Sequence, residues 1–261
     1  MKMVYVLMQK ELKQFFISPI AYVVMMIYLA LSGFFFFTNM EAFSQQYKYL
    51  KNMMQYLNNP DILARLNLNE MVIARALFNM VFIFLFLLPL IMMKSFAEEQ
   101  KQKTDELLKT SPITLNQIIA GKYLGSLLFV TILILPTIAY QALLFYYSSP
   151  ELGPVITGYL GILLFASIGI AIGLFASSIT ENQIIAAVIT FVILLFLFII
   201  NLISHAQGSI LLDIITYISV AEHLSNMLRG VIDTRDLIYF LSFIIFFLFL
   251  TKKTMETKGW R

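Results

Sequence analysis

Residues 95–114 read SFAEEQKQKTDELLKTSPIT. Four acids and three lysines fall within these twenty residues, in a 261-residue chain that is 60% apolar and only 13% charged. The stretch separates two apolar runs, Ala76–Met93 and Ile118–Tyr147. A membrane span needs ~20 mostly apolar residues, because ~30 Å of hydrocarbon is crossed at ~1.5 Å per helical residue. Both flanks qualify, and so do Ile20–Thr38, Val155–Ser177, Gln183–Ile203 and Leu237–Thr251. The run at 118–147 is long enough to tilt or to begin outside the lipid, and the last run is short. Mean hydropathy is +0.84, with 24 Phe and 14 Met, far from the composition of a soluble domain. The runs lack strand punctuation, so helices are the expected spanning form. The expected fold is an all-α integral membrane protein: one domain over residues 1–261 with six transmembrane helices.

Basic residues set the expected orientation. With the N-terminus inside, the cytoplasmic segments hold 12 lysines and arginines, and the longer external segments hold 6. Both termini are therefore expected in the cytoplasm of a multi-pass cell (inner or cytoplasmic) membrane protein, and the quoted stretch with them. The net charge of +3 then reflects topology and gives no reason to invoke nucleic acid. The first apolar run starts only after Pro19 and no small-residue cleavage site follows a short core, so no cleaved signal is expected. Zero cysteines exclude disulfides and Cys-based metal or redox chemistry.

In residues 1–18, Val4, Met8, Leu12, Phe15 and Phe16 share one side at helical spacing. Lys2, Gln9, Lys10, Lys13 and Gln14 share the other, with Val6 and Glu11 as exceptions. This pattern predicts a helix lying in the membrane interface and ending before Pro19. Residues 39–75 read as an external segment, with a turn at Asn58–Asp61 between two short helical pieces. In the fourth span Gly169, Gly173 and Ser177 lie four apart on one face, a helix-packing signal. Pro89 and Pro136 are expected to kink the second and third spans. In the external segment 204–236, the apolar run Ile210–Val220 is half a span long and should dip into the outer leaflet. An amphipathic helix at Ala221–Leu228 follows, stopped by Gly230, and Asp233 or Thr234 caps the last span.

The six cores hold no charged side chain, Lys122 being counted with the cytoplasmic lysines, which argues against proton- or ion-coupled transport. Asn79, Gln141, Thr190 and Asn201 are expected to bond to neighbouring helices. Gly121-Lys122 lacks the upstream glycine and downstream hydroxyl of a phosphate-binding loop, so any ATP used is hydrolysed by another chain. His205 and His223 are too far apart and too poorly accompanied for a metal site. No paired carboxylates in the membrane suggest catalysis, and the chain reads as a non-enzyme without a cofactor of its own.

Within the quoted stretch, Ser95 and Glu98 have the spacing of a capping box, and Glu98 and Glu99 sit in the first turn. Glu99–Lys103 and Asp105–Lys109 are favourable i,i+4 pairs, and Leu107 and Leu108 end the helix with an apolar pair. Ser111-Pro112 breaks it, and Thr114 with Gln117 forms a second box. A compact, capped cytoplasmic helix in a chain without its own ATPase reads as a handle for a motor.

These residues also resemble a known family. Glu98-Glu99, Thr104-Asp105-Glu106-Leu107-Leu108, Thr110-Ser111-Pro112 and Gly121-Lys122 match the segment after the second span in permeases of the type-2 ABC exporter superfamily, with Lys103 standing where glycine is usual. Gly173–Ala187 and Arg229–Thr251 resemble the permease branch associated with gliding motility, and a similar permease serves maturation of a copper-containing reductase. The likeness covers most of the chain, although residues 39–75 are longer and more charged than in that branch. The resemblance implies that residues 95–110 form a coupling helix seated in a cytoplasmic ATP-binding subunit. Glu98, Glu99, Thr104, Glu106, Leu107, Leu108, Ser111 and Pro112 would make the ATPase contact. It further implies pairing with a second permease chain, as homo- or heterodimer, around a translocation pathway in the lipid bilayer, with ATP and Mg held by the partner. Two other readings stay open: a permease-like scaffold passing mechanical work to an external partner, and an unrelated six-helix channel. A neighbouring gene for an ATPase would favour the first two over the third.

Overall fold

The computed structural model describes residues 2–57, 66–103, 113–148, 150–200 and 216–259. Apolar sequence drives each long segment into a helix, since hydrocarbon offers no other partner for backbone polar groups. Among the described residues, ten α-helices follow one another: α1 Lys2–Ile17, α2 Pro19–Leu57, α3 Arg75–Met92, α4 Ala97–Lys101, α5 Leu115–Ile134, α6 Ile138–Tyr147, α7 Leu152–Ile179, α8 Gln183–Ile199, α9 Val220–Leu228 and α10 Thr234–Thr257. No strand occurs among the described residues. Among the described residues, five helical segments are long and apolar enough to cross a membrane: Pro19–Tyr56, Asn69–Lys101, Leu115–Tyr147, Leu152–Ile179 and Thr234–Thr257. The shorter α8 adds a sixth apolar element, and the chain is an all-α integral membrane protein.

The bundle is built around α7, which is buried over most of its length and touches α3, α5, α8, α9 and α10. Small residues let those backbones approach. Gly158, Gly169 and Gly173 face Leu77, Leu88 and Met92 of α3, and Gly161 faces Leu224 and Met227 of α9. A Cβ on Gly169 would stand 2.5 Å from Leu88 Cδ1. Ser177 is buried one turn further on and bonds back to Leu174 O at 3.1 Å. Consecutive segments alternate in direction, so α1, α4 and the end of α10 meet at one end of the bundle, and α9 lies at the other.

Several boundaries differ from those expected. The first helix does not stop near Thr38. It continues through residues expected as an external segment to Leu57, a 39-residue helix ~58 Å long at 1.5 Å per residue. No glycine, proline or cap interrupts Asn39–Leu57, so the helix extends past the lipid-length run. The turn expected at 58–61 lies outside the described residues. The chain returns through a π-helical stretch, Asn69–Ala74, directly into α3. α3 runs through Pro89 as one helix, whereas Pro136 lies in a 3-10 turn, Leu135–Thr137, that separates α5 from α6. Thr190 bonds within its own helix, to Ala186 O at 2.8 Å, and not across to a neighbour. Of the dip expected at Ile210–Val220, residues 210–215 lie outside the described residues. The part beyond is α9, closed by Gly230 at φ 95°, where the missing Cβ permits the left-handed turn. Asp233, not Thr234, caps α10, accepting the Arg235 N–H at 2.9 Å.

Candidate functional site

The site begins at the Ser18-Pro19 break. Proline cannot supply the N–H that would continue α1 into α2, so the two helices take separate directions and α1 folds back onto α5. The seam is Gly121-x-x-x-Gly125. A Cβ at Gly121 would meet Leu7 Cβ at 2.5 Å, and one at Gly125 would meet Glu11 Cβ at 2.7 Å and Met8 O at 3.1 Å. α1 is thus a packed element, with Phe15 stacked on Phe129 of α5 at 4.6 Å, and only its outer face resembles an interfacial helix.

Lys122 stands inside this seam, and the expectation of uncharged cores needs correcting there. Lys122 is 3% exposed and Glu11 6%. The Lys122 ammonium donates to Glu11 Oε1 at 2.9 Å, Glu99 Oε1 at 2.9 Å and the Ser95 carbonyl at 2.8 Å. Three donors meet three acceptors, the full capacity of a lysine. The Phe96 ring lies 5.0 Å away, and Lys10 stands 3.8 Å from Glu99 on the exposed side. Removing one member of such a cluster strands buried charge, at a cost of ~3–5 kcal/mol.

α4 is the described part of the element expected at 95–110. Phe96, buried, stands at its N-cap, and Ser95 belongs to the preceding turn. The Ser95–Glu98 capping box is therefore not formed: the Ser95 hydroxyl is buried without a hydrogen-bond partner among the described residues, and its carbonyl serves Lys122. Glu98 instead accepts from Gln102 Nε2 at 3.3 Å. Glu99 turns inward to Lys122 and does not pair with Lys103, because Lys103 leaves the helix with φ 56°. A left-handed position of this kind suits glycine better than a residue with a Cβ. Gln100 donates to Ser178 O at 3.3 Å. Lys258, beyond α10, donates to Gln100 Oε1 at 2.9 Å, Ser178 O at 2.8 Å and Ile179 O at 3.0 Å, satisfying carbonyls that the end of α7 leaves open. Thr114 donates its backbone N–H to Gln117 Oε1 at 3.2 Å where α5 starts.

The structure thus brings Glu99 together with Glu11 and Lys122, while Glu98 bonds to Gln102 and Lys258 holds the neighbouring Gln100. Thr104, Glu106, Leu107, Leu108, Ser111 and Pro112, with the Asp105–Lys109 pair, lie outside the described residues. Glu11 and Lys122 carried their own signals: an acid on the apolar side of α1, and a lysine between two glycines in an apolar run. The four elements joined through α4 are α1, α5, α7 and the end of α10, so displacement of α4 must be shared among them.

A second polar cluster lies at the other end. His223 Nδ1 is 2.6 Å from Asp236 Oδ1, and His223 Nε2 is 2.9 Å from Tyr217 O. Asn226 Nδ2 donates to Asp236 Oδ2 at 3.3 Å, and Tyr239 donates to Ile218 O at 2.6 Å. These bonds fasten α9 to the first turn of α10. His205 lies outside the described residues. No group of three or more metal-ligating side chains occurs among the described residues.

Comparison with known families matches residues 42–252 to the model for ABC-2 family transporter proteins. No curated protein matches the chain. The matched region covers α4 and Lys122, and leaves out α1 with Glu11. A match over most of the chain, on an all-helical bundle of membrane-length helices, decides the matter: the chain belongs to the ABC-2 family of transporter proteins.

Proposed function

We propose that this ABC-2 permease works as the membrane subunit of an ATP-driven transporter, pairing with a second permease chain around the translocation pathway and engaging a separate cytoplasmic ATPase through residues 95–110. In this reading the α4 end of the bundle and both termini face the cytoplasm, as the 12-to-6 lysine and arginine count favours. One observation carries it: α4 is bonded to α1, α5, α7 and the end of α10 through Lys122 and Lys258. A push on α4 from below is then delivered to both faces of the bundle at once. Glu98, Thr104, Glu106, Leu107, Leu108, Ser111 and Pro112 are the proposed contact residues, with Glu99 and Lys122 passing the motion inward.

The test is purification of the intact complex in detergent and identification of what accompanies the chain. A co-purifying ATPase with a phosphate-binding loop is the expected result. Replacing Glu98 with Lys, or Leu107 and Leu108 with Asp, should then uncouple ATP hydrolysis while leaving the bundle folded. A chain that purifies without any nucleotide-binding partner, or variants that keep full substrate-stimulated turnover, would overturn the proposal.

A second reading, in which the subunit passes work to a partner outside the cell, is favoured by α2. At ~58 Å it exceeds the ~30 Å hydrocarbon layer and projects from the α9 end, with exposed Tyr47, Tyr49 and Tyr56. Transport into inverted vesicles separates the two: a transported solute favours the first, and ATP-dependent movement of an external protein without one favours the second.

A further inference from the structure

Between α1, the start of α2, the end of α3, α4 and α5 lies a cavity of about 510 Å³. This is the size of a small-molecule site, for which ~300–1,000 Å³ is usual. Its two halves differ in chemistry. One half is apolar: Phe15, Ile20, Ala21, Val24, Leu90 and Ile91. The other is charged and sums to zero, with carboxylates Glu11, Glu98 and Glu99 against lysines Lys10, Lys94 and Lys122.

Some of that charge is already spent within the fold. Lys122, Glu11 and Glu99 hold one another at 2.9 Å. Lys94 and Glu98 are in no ion pair among the described residues, and both are half-buried at the cavity wall. The Ser95 hydroxyl, also at the wall, is buried and has no partner among the described residues. The site therefore offers an ammonium and a hydroxyl to an anion, a carboxylate to a cation, and an apolar slot beside them. Its mouth is flanked by Ile17 and Ile20, exposed where Pro19 divides α1 from α2. Exposed apolar side chains at the end of a membrane-length helix face acyl chains more readily than water.

We infer that this cavity binds one zwitterionic phospholipid with a primary-amine headgroup, entering sideways from the leaflet on the α1 side. Lys94 and Ser95 receive the phosphate, Glu98 accepts the ammonium, and one acyl chain lies along Ala21, Val24, Leu90 and Ile91. A lipid seated there touches the α3–α4 turn and α1 together, so its occupancy stiffens the junction around Lys122. The inference stands independently of transport direction and of the ATPase.

The test is native mass spectrometry of the full chain in detergent, titrated separately with phosphatidylethanolamine, phosphatidylcholine and phosphatidylglycerol of identical acyl chains, and with phosphoethanolamine. Phosphatidylethanolamine should be retained about tenfold better than phosphatidylcholine, whose methylated nitrogen cannot donate to Glu98. Glu98→Gln, a change at a half-buried wall position, should abolish that preference by bringing phosphatidylethanolamine down to the retention of phosphatidylcholine. Ile20→Glu, at the mouth, should lower retention of all three lipids. Equal retention of the three lipids, stronger retention of phosphatidylglycerol, an unchanged preference in Glu98→Gln, or equal retention of chain-free phosphoethanolamine would each overturn the inference. Melting of Glu98→Gln in the same detergent checks that the variant is folded.

Discussion

The two ends of the bundle each bury a polar cluster, and the clusters are wired differently. At the α9 end, His223 and Asp236 are 13 residues apart, and all their partners lie between Tyr217 and Tyr239. At the α4 end, Lys122 reaches Glu11, 111 residues away, and Glu99, 23 residues away, while Lys258 reaches Gln100 across 158 residues. The first cluster closes one local hairpin of helices. The second ties together elements that no local contact would hold. Where one side chain, Lys122, joins α1, α4 and α5, its loss loosens all three, and that is an arrangement suited to passing force. A local clasp fixes α9 on the start of α10.

The contrast is easiest to break with Lys122→Met. Glu11 and Glu99 would then share a buried site without a cation, and stability should fall by ~3–5 kcal/mol, read as a large drop in melting temperature in detergent. A second change, Glu11→Leu, should recover part of the loss because the methionine then has an apolar neighbour. If Lys122→Met melts as the parent does, the junction at this end is no stronger than ordinary helix packing. Asp236→Asn should cost less, ~1–3 kcal/mol, because His223 keeps its bond to Tyr217 O and α9 keeps its packing on α7. A loss larger than that of Lys122→Met would reverse the ranking of the two ends.

Gly125→Val tests the seam beneath Lys122 without touching its charge. The added carbons must enter space held by Glu11 Cβ and Met8 O, so a cost of ~1–3 kcal/mol is expected. Gly153→Ala, where a Cβ meets nothing within 4 Å, should stay within ~0.5 kcal/mol and serves as the control. The smallest effect runs the other way. Lys103 sits at φ 56°, so Lys103→Gly should stabilise by ~1 kcal/mol by relieving left-handed strain. Unchanged melting in that variant would mean the turn adapts to either residue.

The positions of the helices were largely written in local patterns. Apolar run length separates lipid from loop, and Gly230 and Asp233 mark ends by chemistry that acts within a turn. α2 was the exception: its polar second half, Asn39–Leu57, reads as an external segment of short helical pieces, yet it continues the first helix because nothing in it breaks the helix. The α4 region failed differently. Ser95 and Glu98 have the spacing of a capping box, but the Ser95 carbonyl is drawn to Lys122 and Glu99 with it, and the tertiary contact outweighs the local one.

The sequence by itself determined that this chain is an all-helical membrane protein and that it carries no phosphate-binding loop motif. Those properties depend on composition over ~20 residues or on motifs of a few, and both can be read along one dimension. Only the tertiary structure decided that α1 lies on α5, that Lys122 is buried between two glutamates, and that the end of α10 reaches α4. A count of lysines assigns Lys122 to a side of the membrane whether it is solvated or enclosed. Its enclosure depends on partners contributed by helices far away in the chain, and their meeting is set by how close Gly121 and Gly125 let two backbones come.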